Sequence, residues 1–201
     1  MTTPRDLLIV SMDVAAGRPV ERGDLSLVLA GAEVIDLSGA QALTLEGDRI
    51  VPGGRSTLPD RLLDEAASAL VRDAPYETVE DWLWRRGQGL SDVYVAALEA
   101  EGGLTRERHR WLPVRTGRTA LADSPARRHA AARWASGEPV LAALAAALGI
   151  GEGQGEDAPE IGDDSVVTVL AAVNDAVMEL EAVRQRRSIE EAAYDNIWRG
   201  Q

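Results

Sequence analysis

Apolar residues recur at three- and four-residue intervals along two long stretches of this chain, and that period decides what kind of fold is open to it. Leu25, Val28, Leu29, Ala32 and Ile35 form one stripe, capped by Asp24 and stopped at Ser38-Gly39. Val166, Val169, Leu170, Val173, Val177 and Leu180 form another, in a segment that begins near Asp164 or Ser165 and continues or breaks near Arg187-Ser188. A 3.6-residue helix gathers such positions on one face. Both stretches are therefore predicted helices, and the first has so nearly continuous an apolar face that it belongs at the centre.

The remaining segments fit around these two. Thr3-Pro4 opens a short first helix that ends before Gly17. Leu43 and Leu45 alternate with polar residues, and Gly47-Asp48 is a two-residue turn before Arg49-Ile50-Val51, which predicts a small hairpin. Asp60 caps a helix carrying Leu63, Ala66, Ala67 and Leu70. Thr78 with Asp81 resembles a capping box opening a helix with Val79, Trp82 and Leu83. After Gly87–Gly89, Ser91 caps a helix with Val93, Ala97 and Leu98 inward, closed by Gly102-Gly103. Leu104 and the run 110–114 then suggest a hairpin-like return. Helices follow at 125–135 and 140–148, and the Gly- and acid-rich residues at about 149–164 read as a flexible loop with no dinucleotide register. The expected fold is mainly α: a single multi-helix domain over 1–201 with one or two short β-hairpins.

Composition removes many chemistries. The chain has no Cys, and all 21 basic residues are Arg. Without Cys there is no thiol nucleophile or thiolate metal site; without Lys there is no Schiff base or Walker lysine. The two histidines, His109 and His129, are too few for a three-histidine zinc site. No Ser or acid stands near them at a recognisable catalytic spacing, and Glu160, Asp163 and Asp164 lack the calcium-loop pattern. No enzyme, cofactor or metal site is expected. The N-terminus lacks a secretory apolar core, and the longest apolar run, 140–150, is about half of the roughly 20 residues that span a bilayer. The expectation is a cytoplasmic protein whose membrane contact, if any, is peripheral.

The formal charge is −12, but it is unevenly spread. Between Thr105 and Arg133, eight Arg stand against Glu107 and Asp123, a local balance of +6. Guanidinium groups are planar, bidentate donors to phosphate, so a cluster of them on one face would be an anion site. The bland alternative is a set of solvated helix faces with local ion pairs.

Several segments also carry a resemblance. Asp6-Leu7-Leu8-Ile9-Val10, the run Leu29 to Leu37, Leu43-Thr44-Leu45-Glu46, Leu62 to Ala66, Glu77 to Leu83, Leu98 to Leu104, and Trp134 ahead of Gly137-Glu138-Pro139 follow one another in the order seen in the Golgi phosphoprotein 3 family. The chain resembles that family over nearly its whole length. The resemblance implies a mainly helical, cytoplasmic, non-enzymatic protein that binds phosphatidylinositol 4-phosphate at a membrane surface through an aromatic and several basic residues, with a hydrophobic hairpin linked to insertion and self-association. Aligned on Ala30-Gly31, the family's aromatic falls near Glu21 and its first arginine on Ala30, so both headgroup contacts are replaced. The later basic pair falls on Arg127 and Arg128 in one register, and the hairpin shortens to Ser136–Pro139. An all-arginine chain of this kind suggests a bacterial source.

The leading expectation is therefore a peripheral membrane adaptor in which Arg115, Arg118, Arg127 and Arg128 engage the phosphate of an anionic lipid headgroup, with Trp111 or Trp134 near the interface. For Trp82, Trp111 and Trp134, packing in the core is the favoured role. The alternatives are a protein-interaction scaffold that has lost lipid binding, as a monomer or a homo-oligomer, and a winged-helix-like nucleic-acid binder over 78–114. The last is disfavoured, because its second helix carries Asp92, Glu99 and Glu101 and no Arg.

Overall fold

Helix α2 (Arg22–Gly39) runs through the middle of the protein in a computed structural model that describes residues 1–14, 20–54, 57–106, 119–151 and 161–199. Val28, Leu29, Ala30, Ala32 and Val34 are all fully buried, which no one-sided surface helix would show. α1 (Thr3–Val14), α3 (Arg61–Ser68), α4 (Val79–Arg86), α5 (Leu90–Ala100), α7 (Pro139–Ala147) and α8 (Asp164–Arg199) all contact it. α8 packs tightly against it at Gly31. The glycine makes this possible, because a Cβ at that position would overlap the Val173 side chain. Mainly α is thus the observed class, with two small antiparallel two-stranded sheets among the described residues.

Local signals place most boundaries. The Asp60 carboxylate accepts from the Leu62 and Leu63 amides at 3.0 and 3.1 Å and starts α3. The capping box at α4 is complete: Thr78 Oγ1 accepts from the Asp81 amide and Asp81 accepts from the Thr78 amide. β1 (Leu43–Glu46) and β2 (Arg49–Pro52) pair with Glu46 opposite Arg49 across the predicted turn, where Gly47 takes φ +64°. The hairpin is pinned to the start of α4, since Ile50 N–H donates to Glu77 O and Val79 N–H to Asp48 O.

Three local expectations are corrected. Asp24 does not cap α2, which starts earlier after Glu21; it sits in the first turn, where its carboxylate faces Arg184 of α8. Ser91 does not cap α5 either. Gly89, at φ +71°, holds that place, and the Ser91 amide instead donates to Ser26 Oγ across the core. Val93 points outward, leaving Tyr94, Ala97 and Leu98 as the buried face. The return strand β4 (Thr119–Leu121) pairs with β3 (Leu104–Arg106), while 110–114 lies outside the described residues. Most of the loop expected at 149–164 lies outside them too. α8 continues past Arg187-Ser188 without a break.

Two buried polar groups tie the helices together. Trp82, fully buried, donates from Nε1 to Ala30 O at 3.1 Å. Glu33, also fully buried, accepts a fork from Arg86 at 2.8 and 2.9 Å and the Tyr94 hydroxyl at 3.0 Å. Burial pushes the Glu33 carboxyl up, and the Arg86 and Tyr94 donors pull it part of the way back.

Candidate anion-binding site

α6 (Pro125–Ala135) carries the basic pair singled out in the sequence. Ser124 caps it by accepting from the Arg127 amide at 3.1 Å, and Pro125 takes the first helical position. Among its residues only Ala130 is fully buried, so the helix presents most of its surface to solvent. Adjacent helical residues diverge by about 100°, and the two arginines take different partners. Arg127 reaches the end of α1, with Nη2 2.7 Å from Asp13 Oδ1 and Nε 3.4 Å from Oδ2. Arg128 turns back to Asp123 at 2.9 Å. Both pairs are open to water, with side-chain exposures of 37% and 35% in the first and 64% and 79% in the second. Arg115, Arg118, Trp111 and His109 lie outside the described residues.

A third arginine of α6, which charge counting had not distinguished from its neighbours, is the one that holds the helix. Arg133 forks between two carboxylates, Asp6 Oδ2 at 2.7 Å and Glu138 Oε2 at 2.8 Å. Glu138 also caps α7 by accepting from the Leu141 amide at 2.9 Å. Asp6 is fully buried, its Oδ1 has no hydrogen-bond partner, and His129 Nε2 stands 3.6 Å from Oδ2. Beside it, Asp36 accepts from the Thr3 amide at 2.7 Å, yet burial pushes its carboxyl above the usual range. The one sequence hint was Asp6 itself, a charge set directly against the apolar run Leu7-Leu8-Ile9-Val10.

A cavity of about 870 Å³ lies between the end of α1, the start of α2, the end of α7 and the middle of α8. Val20, Leu148, Val177 and Met178 supply apolar wall. Its charged groups are Glu21, Asp24 and Glu181 against Arg184, which pairs with Asp24 and stands 3.9 Å from Glu21. Burial raises the Asp24 carboxyl, and the charges of Glu21 and Glu181 add to the rise. This space repels phosphate. Among the described residues no group of three His, Cys, Asp or Glu could hold a metal ion, and Asp163 is occupied in capping α8 through the Ser165 amide at 2.8 Å. The helix that a winged-helix reading would place in a DNA groove, α5, packs Tyr94, Ala97 and Leu98 onto the core instead.

Among the described residues the order is helix, helix, two paired strands, three helices, two paired strands and three further helices. A family model, Golgi phosphoprotein 3 (GPP34), matches residues 4–188. The chain belongs to the Golgi phosphoprotein 3 family. No curated protein matches it. The Glu21 side chain is 71% exposed, and Ala30 is fully buried, its carbonyl accepting from Trp82 Nε1. Trp134 is half-buried against the core, and no helix among the described residues is long and apolar enough to cross a membrane.

Proposed function

We propose that this Golgi phosphoprotein 3 family member is a non-enzymatic adaptor that meets anionic membrane surfaces from the cytoplasmic side. Its contact is the basic segment that includes Arg115, Arg118, Arg127 and Arg128, the last two at the N-terminal edge of α6, and these arginines take lipid phosphate. The observation that carries this reading is the exposure of both described pairs, Arg127–Asp13 and Arg128–Asp123. Exposed ion pairs contribute little and exchange readily, and a lipid phosphate offers each guanidinium the same planar fork with more charge. The net charge of −12 opposes the approach, so adhesion needs a dense anionic surface and low salt. With Glu21 and Ala30 in place of the family's other headgroup contacts, recognition follows charge density, and phosphatidylinositol 4-phosphate binds no better than other anionic lipids of equal charge.

Cosedimentation with vesicles of graded anionic-lipid content tests this. Retention should rise with anionic content, fall with salt, drop in the double variant Arg127→Ala/Arg128→Ala, and increase in Asp13→Asn/Asp123→Asn, which frees both guanidiniums. Retention no greater than on neutral vesicles, or unchanged by the arginine substitutions, refutes it. A second reading, an interaction scaffold without lipid binding, draws on one fact: each of these two arginines already has a carboxylate partner.

A further inference from the structure

The cavity where α1 and α7 end, α2 begins and α8 passes holds about 870 Å³, within the roughly 300–1,000 Å³ of small-molecule sites. Its apolar wall grades from the core outward. Ile150 is buried, and Val20, Leu148 and Val177 are half-buried against the core. At the rim Met178 is 69% exposed and Val14 47%, so two of the large apolar side chains that stand out into water among the described residues border this one concavity. Apolar surface exposed around a cavity, rather than scattered singly, favours a guest that covers it.

The charges around the cavity are mostly of one sign. Glu21 and Glu181 are exposed at the rim, and both stand near enough to Asp24 for their charges to raise its carboxyl further. Arg184 is already engaged, with Nη2 on Asp24 and Nε donating to Leu180 O at 3.3 Å. Three carboxylates against one guanidinium leave a negative balance. Gln185 donates to Glu181 at 3.1 Å and steadies that carboxylate. α1 and α7 also finish here, and the carbonyl end of a helix carries partial negative charge, while the positive amino end of α2 is met by Asp24 in its own first turn.

We infer that this cavity binds a small amphipathic amine, its ammonium group at the Glu21 and Glu181 rim and its aliphatic chain against Leu148, Ile150, Val177 and Met178. The ammonium brings three donors and the sign that the rim lacks; the chain covers the exposed carbon. A neutral or anionic molecule of the same length would bury the same carbon without the attraction, and a polyamine would bring charge without a continuous apolar chain. The site takes the charge opposite to that proposed for α6, so it stands or falls independently of lipid binding.

Isothermal titration calorimetry of the full chain with octylammonium chloride should show saturable binding at one site. Octan-1-ol, octanoate and spermidine should each bind at least about tenfold more weakly, and hexylammonium, two methylenes shorter, about four- to fifteenfold more weakly. Glu21→Gln/Glu181→Gln should weaken octylammonium binding about tenfold. Both side chains are exposed, so circular dichroism should be unchanged. Glu46→Gln/Glu80→Gln removes the same charge from exposed positions that do not line the cavity and should leave the affinity within about twofold. Absence of saturable binding, equal binding of octan-1-ol or octanoate, or equal weakening by the two double variants overturns the proposal, the last by showing only general attraction to an acidic protein. Spermidine bound as tightly as octylammonium, or a hexyl chain as good as an octyl one, overturns the apolar half of the assignment.

Discussion

Replacing Arg133 with Met should be among the most damaging single changes in the protein, although this residue is one of eight arginines in a stretch that sequence reading treats as surface. Met keeps much of the alkyl packing and removes the fork. What remains is Asp6, fully buried, with one oxygen already lacking a partner and His129 Nε2 no closer than 3.6 Å to the other. Leaving a buried charge unpaired costs about 3–5 kcal/mol, against about 0.2–1 kcal/mol for an exposed pair. For a domain of this size each kcal/mol moves the melting temperature by about 2–4 °C. The expected loss is therefore about 6–20 °C, with a matching fall in the urea midpoint followed by tryptophan fluorescence. The second arm is Asp6→Asn/Arg133→Met. The amide carries no charge to strand, so the double variant should be more stable than Arg133→Met alone, and the two single losses should exceed the combined one. Hydrogen exchange would localise the effect: α6 and the start of α7 should open, because Glu138 holds both Arg133 and the α7 amides. A loss below about 1 kcal/mol in Arg133→Met, the value of a surface pair, or strict additivity of the two substitutions, would refute the reasoning.

Two further outcomes follow from the packing around α2. Gly31→Ala should destabilise by about 1–2 kcal/mol, because overpacking against Val173 costs about 1–3 kcal/mol while the helix gains up to about 1 kcal/mol from losing a glycine. Adding Val173→Ala should recover part of the loss, measured as the urea midpoint at unchanged slope. Asp36 has a folded-state value above its unfolded one, so the protonated carboxyl is the form that folding favours. Its stabilising contribution is fully present below the ordinary carboxylate range and disappears as pH rises through the raised value. Asp36→Asn keeps an acceptor for the Thr3 amide without the charge. The variant's melting temperature relative to the parent should therefore climb as pH rises above the ordinary carboxylate range, and a difference that is flat or falling there would show that burial does not govern this group.

What was legible in the sequence was whatever a window of a few residues decides. The α2 stripe, the Asp60 cap, the Thr78–Asp81 box and the Gly47-Asp48 turn each close within one helical turn or one hairpin, so neighbouring residues already contain the answer. Asp24 and Ser91 failed as caps for the opposite reason. Each has the right chemistry near a helix start, but the helix begins earlier and leaves the residue in the first turn, where it meets a distant partner: Arg184 for the Asp24 carboxylate, Ser26 for the Ser91 amide. The same physics limits the basic segment. Its local balance of +6 treats only residues 105–133 as neighbours, whereas in space Arg127 meets Asp13 from 114 residues away and Arg133 meets Asp6 from 127 residues away. Acids from α1 thus enter a patch that looks unopposed along the chain. A lipid phosphate at α6 must displace carboxylates rather than fill an empty cup, which is why freeing Arg127 and Arg128 by amide substitution at Asp13 and Asp123 separates a working anion site from an edge that only looks like one.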